Sequence, residues 1–159
     1  MDDQLPLFDE ILDKNEQIGS PQESNRKFCT ELEEELISIG YTECNSTSPN
    51  PQKYLKRSVY RDMYGGTRHS TFLINHKTKG LLRVEAHRQV QSGSVDQKFP
   101  FFYESLIYAP ENTVIIVFDG KGYKKEAFSW LLEQTQNNTT KEFKVFASKN
   151  EFLTYLTDR

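Results

Sequence analysis

Residues 81–89 read Leu81-Leu82-Arg83-Val84-Glu85-Ala86-His87-Arg88-Gln89. Glu85, His87 and Gln89 are two apart, so on a strand all three project from one face, with Arg83 on the same side. Leu82, Val84 and Ala86 form the opposite, apolar side. A carboxylate, an imidazole and a carboxamide in a row serve a core poorly. They suit a site that holds a divalent metal and a phosphate. Taken alone, the pattern also fits an edge strand with a wet polar face.

Working outward, Arg68–Asn75 alternates and carries Phe72 and Ile74, and Asn75–Gly80 is a polar, Gly-ended hairpin turn. Gly65-Gly66 breaks the segment before it. Further upstream, Ser20-Pro21-Gln22-Glu23 predicts a helix start, with Ser20 as N-cap, Pro21 in the first turn and Glu23 closing a capping box. Phe28, Leu32, Leu36 and Ile39 recur at helical spacing until Gly40, and Ser46 to Pro51 is a polar loop. Downstream, a short helix is expected over about Val95–Tyr108. Thr113–Phe118 is a continuous apolar run, as in a strand buried on both faces. Ala127, Phe128, Leu131 and Leu132 mark the next helix, and Phe143–Phe146 the last strand. Ser148-Lys149-Asn150-Glu151 is a second capping box, opening a helix with Phe152, Leu153 and Leu156. The order α-β-β-β-α-β-α-β-α predicts an α/β fold, a mixed central sheet flanked by helices, in a single domain over residues 20–159. Residues 1–19 are acidic and weakly periodic, and read as a flexible arm.

The chain of 159 residues has a net charge of -3, a hydrophobic fraction of 36% and a mean hydropathy of -0.70. The charge is unevenly spread. Residues 1–52 carry 12 acids and 3 bases, while residues 53–90 carry 9 bases and 2 acids. A basic middle in an acidic chain is the footprint of nucleic-acid contact, or else the wet face of a solvated hairpin. Lys53, Lys56, Arg57, Arg61, Arg68, Arg83 and Arg88, with Lys98 beyond them, are the candidate DNA-binding residues. No apolar run approaches the roughly 18 residues needed to span a membrane, and a cytoplasmic protein is expected. Cys29 and Cys44 are too few and too far apart for a zinc site or disulfide framework and read as reduced thiols, with Cys29 on a helix.

Arg83-Val84-Glu85-Ala86-His87-Arg88-Gln89, followed by Ser92-Gly93-Ser94-Val95-Asp96-Gln97-Lys98-Phe99-Pro100, resembles the core of a bacterial and phage PD-(D/E)XK nuclease family. That family reads roughly I-E-x-K-x-Q, a spacer, then G-S-V-D-E-K-x-P. The likeness runs through Tyr64-Gly65-Gly66-Thr67-Arg68, Phe72-Leu73-Ile74, Asp119-Gly120-Lys121-Gly122-Tyr123-Lys124, Trp130-Leu131 and Val145-Phe146-Ala147-Ser148. It implies a restriction-endonuclease-like fold, DNA as partner, Mg²⁺ or Mn²⁺ as cofactor when active, and a possible homodimer. Glu85, His87 and Gln89 occupy its catalytic positions, with Glu85 as metal ligand. Two positions depart from it. Thr71 stands where the family has an acid, and His87 where it has Lys. A hydroxyl in place of a carboxylate weakens a Mg²⁺ site that relies on one or two carboxylates. A His, with an ordinary pKa near roughly 6.5, is a weak substitute for an always-charged Lys. Compensation is sought in Asp62 or the acids between Glu31 and Glu35 for the carboxylate, and in Lys98 for the cation. For Asp96 and Lys98 a local helix-start pair is the plain alternative, and for Asp119 a turn or helix cap. His76 reads as an exposed turn residue.

Gln4-Leu5-Pro6-Leu7-Phe8 resembles the peptide by which bacterial polymerases, repair factors and mobile-element proteins dock on the replicative sliding clamp. Leu7 and Phe8 would enter a pocket, with Leu5 beside them and Gln4 hydrogen-bonding at the rim. A short amphipathic helix through Leu5, Phe8, Ile11 and Leu12 is the alternative. Together the features predict a DNA-associated nuclease-fold protein of phage or mobile-element type, docked on the clamp, with an impaired centre. The competing expectations are an active metal-dependent DNA endonuclease with a remodelled site, and a protein-interaction inhibitor of replication or defence that does not cleave DNA.

Overall fold

The computed structural model describes residues 21–89 and 96–158, so the Gln4–Phe8 motif and the N-cap role of Ser20 lie outside the described residues. Helix α1 (Pro21–Ser38) buries Phe28, Leu32 and Leu36, the stripe that the sequence spacing marks. It ends where Gly40 takes φ 108, with Gly40 N–H donating to Ile37 and Tyr41 N–H to Leu36. This is the paired 5→2 and 6→1 closure that a residue without Cβ permits, and Tyr41 then packs in the same core as Leu36.

Next come β1 (Thr42–Glu43), β2 (Lys53–Arg61), β3 (Thr67–His76) and β4 (Gly80–Arg88). A 3₁₀ turn (Asp96–Lys98) leads into α2 (Phe99–Ile107), followed by β5 (Thr113–Asp119), α3 (Lys125–Asn137), β6 (Glu142–Phe146) and α4 (Lys149–Thr157). Among the described residues the strands form one six-stranded sheet in the order β1-β2-β3-β4-β5-β6. The β2–β3 and β3–β4 pairs are antiparallel; β1–β2, β4–β5 and β5–β6 are parallel. The α/β class and mixed sheet are as the sequence predicts, with β1 and the bounds of β2 supplied by the structure. Where one helix was expected over Val95–Tyr108, a 3₁₀ turn precedes α2. Pro100 lies at the start of α2, and without an N–H it fits only a first turn.

The sheet separates two cores. On one face Leu82, Val84, Ala86, Ile115 and Val117 pack with residues of α1 and with Phe152 and Leu156 of α4. On the other, Val114, Ile116 and Phe118 pack with Phe99, Phe102 and Leu106 of α2 and Leu131 of α3. β5 is therefore buried on both faces, as its unbroken apolar run requires. Ser148 caps α4 as expected, its Oγ accepting the Glu151 N–H at 3.2 Å, while the Glu151 carboxylate meets the Ser148 hydroxyl at 3.4 Å rather than its main-chain N–H.

His76 corrects an expectation. It is buried, and its Nδ1 accepts the main-chain N–H groups of Thr78 and Lys79 at 3.1 and 3.0 Å. Nδ1 is thus the acceptor, so Nε2 carries the proton and donates to the Leu156 carbonyl at 2.7 Å. The turn histidine ties the β3–β4 turn to α4.

Candidate functional site

The sheet forks beside α1. The β3–β4 ladder runs from His76↔Gly80 to Phe72↔Val84 and stops there. Beyond it β3 stays paired with β2 as far as Arg61↔Thr67, while β4 continues on β5 from Glu85↔Ile116 to Arg88↔Asp119. Thr71 stands at the fork, where its Oγ1 accepts the Ala86 N–H at 3.0 Å in place of a strand carbonyl. Across from it, Arg57 drops out of the β2–β3 ladder between Lys56↔Phe72 and Ser58↔Ser70 and takes φ 53, a left-handed conformation.

This irregularity changes which way side chains face. Tyr54, Phe72 and Ile74 pack in the α1 core. Tyr60, which strict alternation would keep on the face of Tyr54, joins the α2–α3 core. Arg68, by alternation a partner of Phe72, instead reaches Glu85. The far half of the hairpin is turned over relative to the near half, and it delivers Tyr60 and Arg68 to the polar face of β4.

Glu85 is 2% exposed, and its carboxylate is enclosed by these two residues. Oε2 accepts from the Tyr60 hydroxyl at 2.6 Å and from Arg68 Nε at 2.7 Å, and Oε1 from Arg68 Nη2 at 3.3 Å. The Arg68 guanidinium also lies 5.0 and 5.2 Å from the ring centroids of Phe101 and Phe102. Burial opposes its charge, but the Glu85 carboxylate and the Tyr60 hydroxyl outweigh that and hold its pKa above the ordinary value. Burial, reinforced by Glu85, raises the pKa of the Tyr60 hydroxyl.

His87 stacks on Phe102 with centroids 4.1 Å apart and planes 6° from parallel. Burial pushes its pKa down to about 4, against the pull of Glu85 and with help from Arg68 and Lys98. The imidazole is therefore neutral at pH 7. Its Nε2 is buried with no hydrogen-bond partner among the described residues, 3.7 Å from Glu85 Oε1.

Glu85, His87 and Thr71 line one cleft of about 630 Å³ between α1 and the fork, together with Arg57, Arg68 and Cys29. Gln89, expected to orient phosphate or water, is not in its wall. Its Nε2 donates to the Gly122 carbonyl at 2.8 Å and its main-chain N–H to that of Asp119, so it clamps the loop after β5. Arg83, expected at DNA, is corrected to a core residue. It is 2% exposed, with Nε and Nη2 on Glu111 and Nη1 on Ser58 and Ser70. Arg88 bridges Glu31 and Asp119, whose carboxylate thus pairs across the sheet instead of capping a helix. Lys53 donates to Thr42 and Arg61 to the Gly65 carbonyl. Lys56 pairs with Glu33 and Glu43, while Arg57 and Lys98 are exposed.

Three of the acids expected to compensate are engaged elsewhere. Asp62 accepts from Tyr64 and Gly66 in its own turn, Glu31 holds Arg88, and Glu33 holds Tyr54 and Lys56. Asp96 is buried, with neither carboxylate oxygen hydrogen-bonded among the described residues, so it makes no helix-start pair with Lys98. Among the described residues no group of three His, Cys, Asp or Glu side chains comes together as a metal site. The donors do not fit Mg²⁺: the single carboxylate at the fork is already neutralised by a guanidinium, and Thr71 Oγ1 is engaged by a main-chain N–H.

Tyr60, Phe101 and Phe102 stand at the site although the sequence does not mark them as site residues. Folding the hairpin about its Tyr64-Gly65 turn places Tyr60 opposite Arg68, which was a usable signal. The approach of both to Glu85 had none, because it depends on the turned-over half of the hairpin.

Residues 20–156 match the PD-(D/E)XK nuclease superfamily domain. Searches of curated proteins and of solved structures found no match. No helix among the described residues is long and apolar enough to cross a membrane. The forked mixed sheet, with Glu85 at the fork, is the restriction-endonuclease-like arrangement that the match implies, and the chain belongs to the PD-(D/E)XK nuclease superfamily.

Proposed function

We propose that this protein is a DNA-associated nuclease-fold domain whose hydrolytic centre is impaired, and that its Gln4–Phe8 segment docks it on the replicative sliding clamp. The observation that carries the reading is the saturation of Glu85 by Arg68 and Tyr60. Metal-assisted phosphodiester hydrolysis needs carboxylate oxygens free to hold a cation and a group able to activate water. Here the carboxylate already has its counter-charge, and the neutral His87 has its Nε2 buried away from water.

Supercoiled plasmid incubated with Mg²⁺ and, separately, Mn²⁺ tests the impairment. The expected result is no nicking beyond that of a Glu85→Ala control. Metal-dependent nicking that the control lacks would overturn the reading in favour of a remodelled endonuclease. The docking rests on the sequence motif, whose Leu7 and Phe8 supply an apolar anchor pair. Clamp pull-down should be lost in a Leu7→Ala/Phe8→Ala variant, and unchanged capture would reject the motif.

A further inference from the structure

We infer that Arg68 takes the place of a divalent cation, and that the cleft it opens into holds a DNA phosphodiester without metal. The inference rests on the impaired-centre reading above and assigns that site a ligand.

Arg68 is fixed where a cation beside Glu85 would be needed. Nε and Nη2 grip the carboxylate, Nε also donates to the Tyr60 hydroxyl at 3.1 Å, and the Phe101 and Phe102 ring centroids lie 5.0 and 5.2 Å from the guanidinium carbon. The remaining nitrogen, Nη1, has no hydrogen-bond partner among the described residues, and the Arg68 side chain, 21% exposed, lines the cleft. A guanidinium anchored on one edge presents its other N–H groups at a set angle, the geometry in which arginine recognises phosphate oxygens.

Arg57 is the second element. It is exposed, forms no side-chain hydrogen bond or ion pair among the described residues, and lines the same cleft. Its φ of 53 is unfavourable for a residue with a Cβ, and such strain persists where a side chain must point a particular way. Arg26 of α1 also lines the cleft and is exposed. Among the described residues the only acids in the wall are Glu33 and Glu85, and both are engaged, by Tyr54 and Lys56 and by Tyr60 and Arg68. The free charge facing the cleft is therefore positive. Because it comes from side chains, an anion can be held there with no metal present.

Fluorescence anisotropy of the full chain with a short labelled DNA duplex in EDTA tests this. The wild type should bind, and Mg²⁺ at constant ionic strength should not tighten it. Arg68→Gln/Glu85→Gln, which neutralises both members of the pair together, should weaken binding roughly tenfold or more and lower the log–log salt slope by about 1. Glu85→Gln alone, which leaves the cation and removes its counter-charge, should bind at least as tightly as the wild type. Arg57→Ala, at an exposed position that does not endanger folding, should weaken binding about fivefold or more.

Binding that requires the metal, or that survives the double substitution and Arg57→Ala within about twofold, overturns the inference and leaves DNA association standing. Absence of DNA binding with and without metal removes that association as well. Plasmid nicking is a separate readout and bears on the impaired centre.

Discussion

Two Arg–Glu pairs lie on the same face of β4, one position apart in the alternation, and they are built differently. Arg83–Glu111 is closed: the side chains are 3% and 7% exposed, and every guanidinium nitrogen has an acceptor. Arg68–Glu85 buries the carboxylate equally well, but leaves the arginine 21% exposed in the wall of the cleft. The first pair sits where β2, β3 and β4 are still one sheet, the second where they have parted. The same two residue types thus serve as a structural staple below the fork and as a poised cation above it. What separates them is access to solvent on one edge of the guanidinium.

The comparison makes graded predictions. The largest effect is expected at the closed pair. Glu111→Gln leaves the Arg83 charge buried without its counter-charge and should cost about 3–5 kcal/mol in urea unfolding. A loss below about 1 kcal/mol would mean that the pair is not closed in solution.

Acid should act next, and on the open pair's side. His87 has a folded pKa near 4 against an ordinary 6.5, so the unfolded chain binds its proton first as pH falls. The stability due to neutral His87 is therefore fully present above pH 6.5 and is lost progressively down to about pH 4. It amounts to about 3 kcal/mol. His87→Phe, which keeps a ring against Phe102, should flatten that part of the stability–pH curve. An unchanged slope would show that other groups cause it.

Glu85→Gln should cost less than Glu111→Gln, about 1–3 kcal/mol, because water in the cleft reaches the Arg68 cation left behind. Equal losses for the two substitutions would erase the distinction between staple and poised cation. The smallest effect has the opposite sign. Arg57→Gly should relieve the left-handed strain and raise stability by up to about 1 kcal/mol while weakening DNA binding. A loss of stability would locate the cause of that backbone elsewhere.

Much of the scaffold was legible along the chain. The Phe28–Leu32–Leu36 stripe, the Ser148–Glu151 capping box and the Thr113–Phe118 run each encode their element locally, through spacing, a cap or unbroken burial. The polar face of β4 was legible for the same reason, since alternation in a regular strand is a property of the backbone. The roles along that face were less so. Gln89 was expected in the site and instead holds the Gly122 loop, because β4 ends at Arg88 and Gln89 bonds to Asp119 and Gly122 through its main chain and to the Gly122 carbonyl through its carboxamide. Arg83 and Arg88 were counted with the surface bases, yet their acidic partners Glu111, Glu31 and Asp119 lie 28, 57 and 31 residues away in the chain.

Glu85 could be singled out from the sequence alone, and the weakness of its surroundings as a metal site could be read from Thr71 and His87. These are statements about which residue types stand at which positions. Only the tertiary structure decided what neutralises Glu85. The irregularity at Arg57 and Thr71 turns over half a hairpin, and a one-residue break in alternation moves every later side chain to the other face. Linear spacing holds no record of that break. So the carboxylate was visible in the sequence, and its guanidinium partner was not.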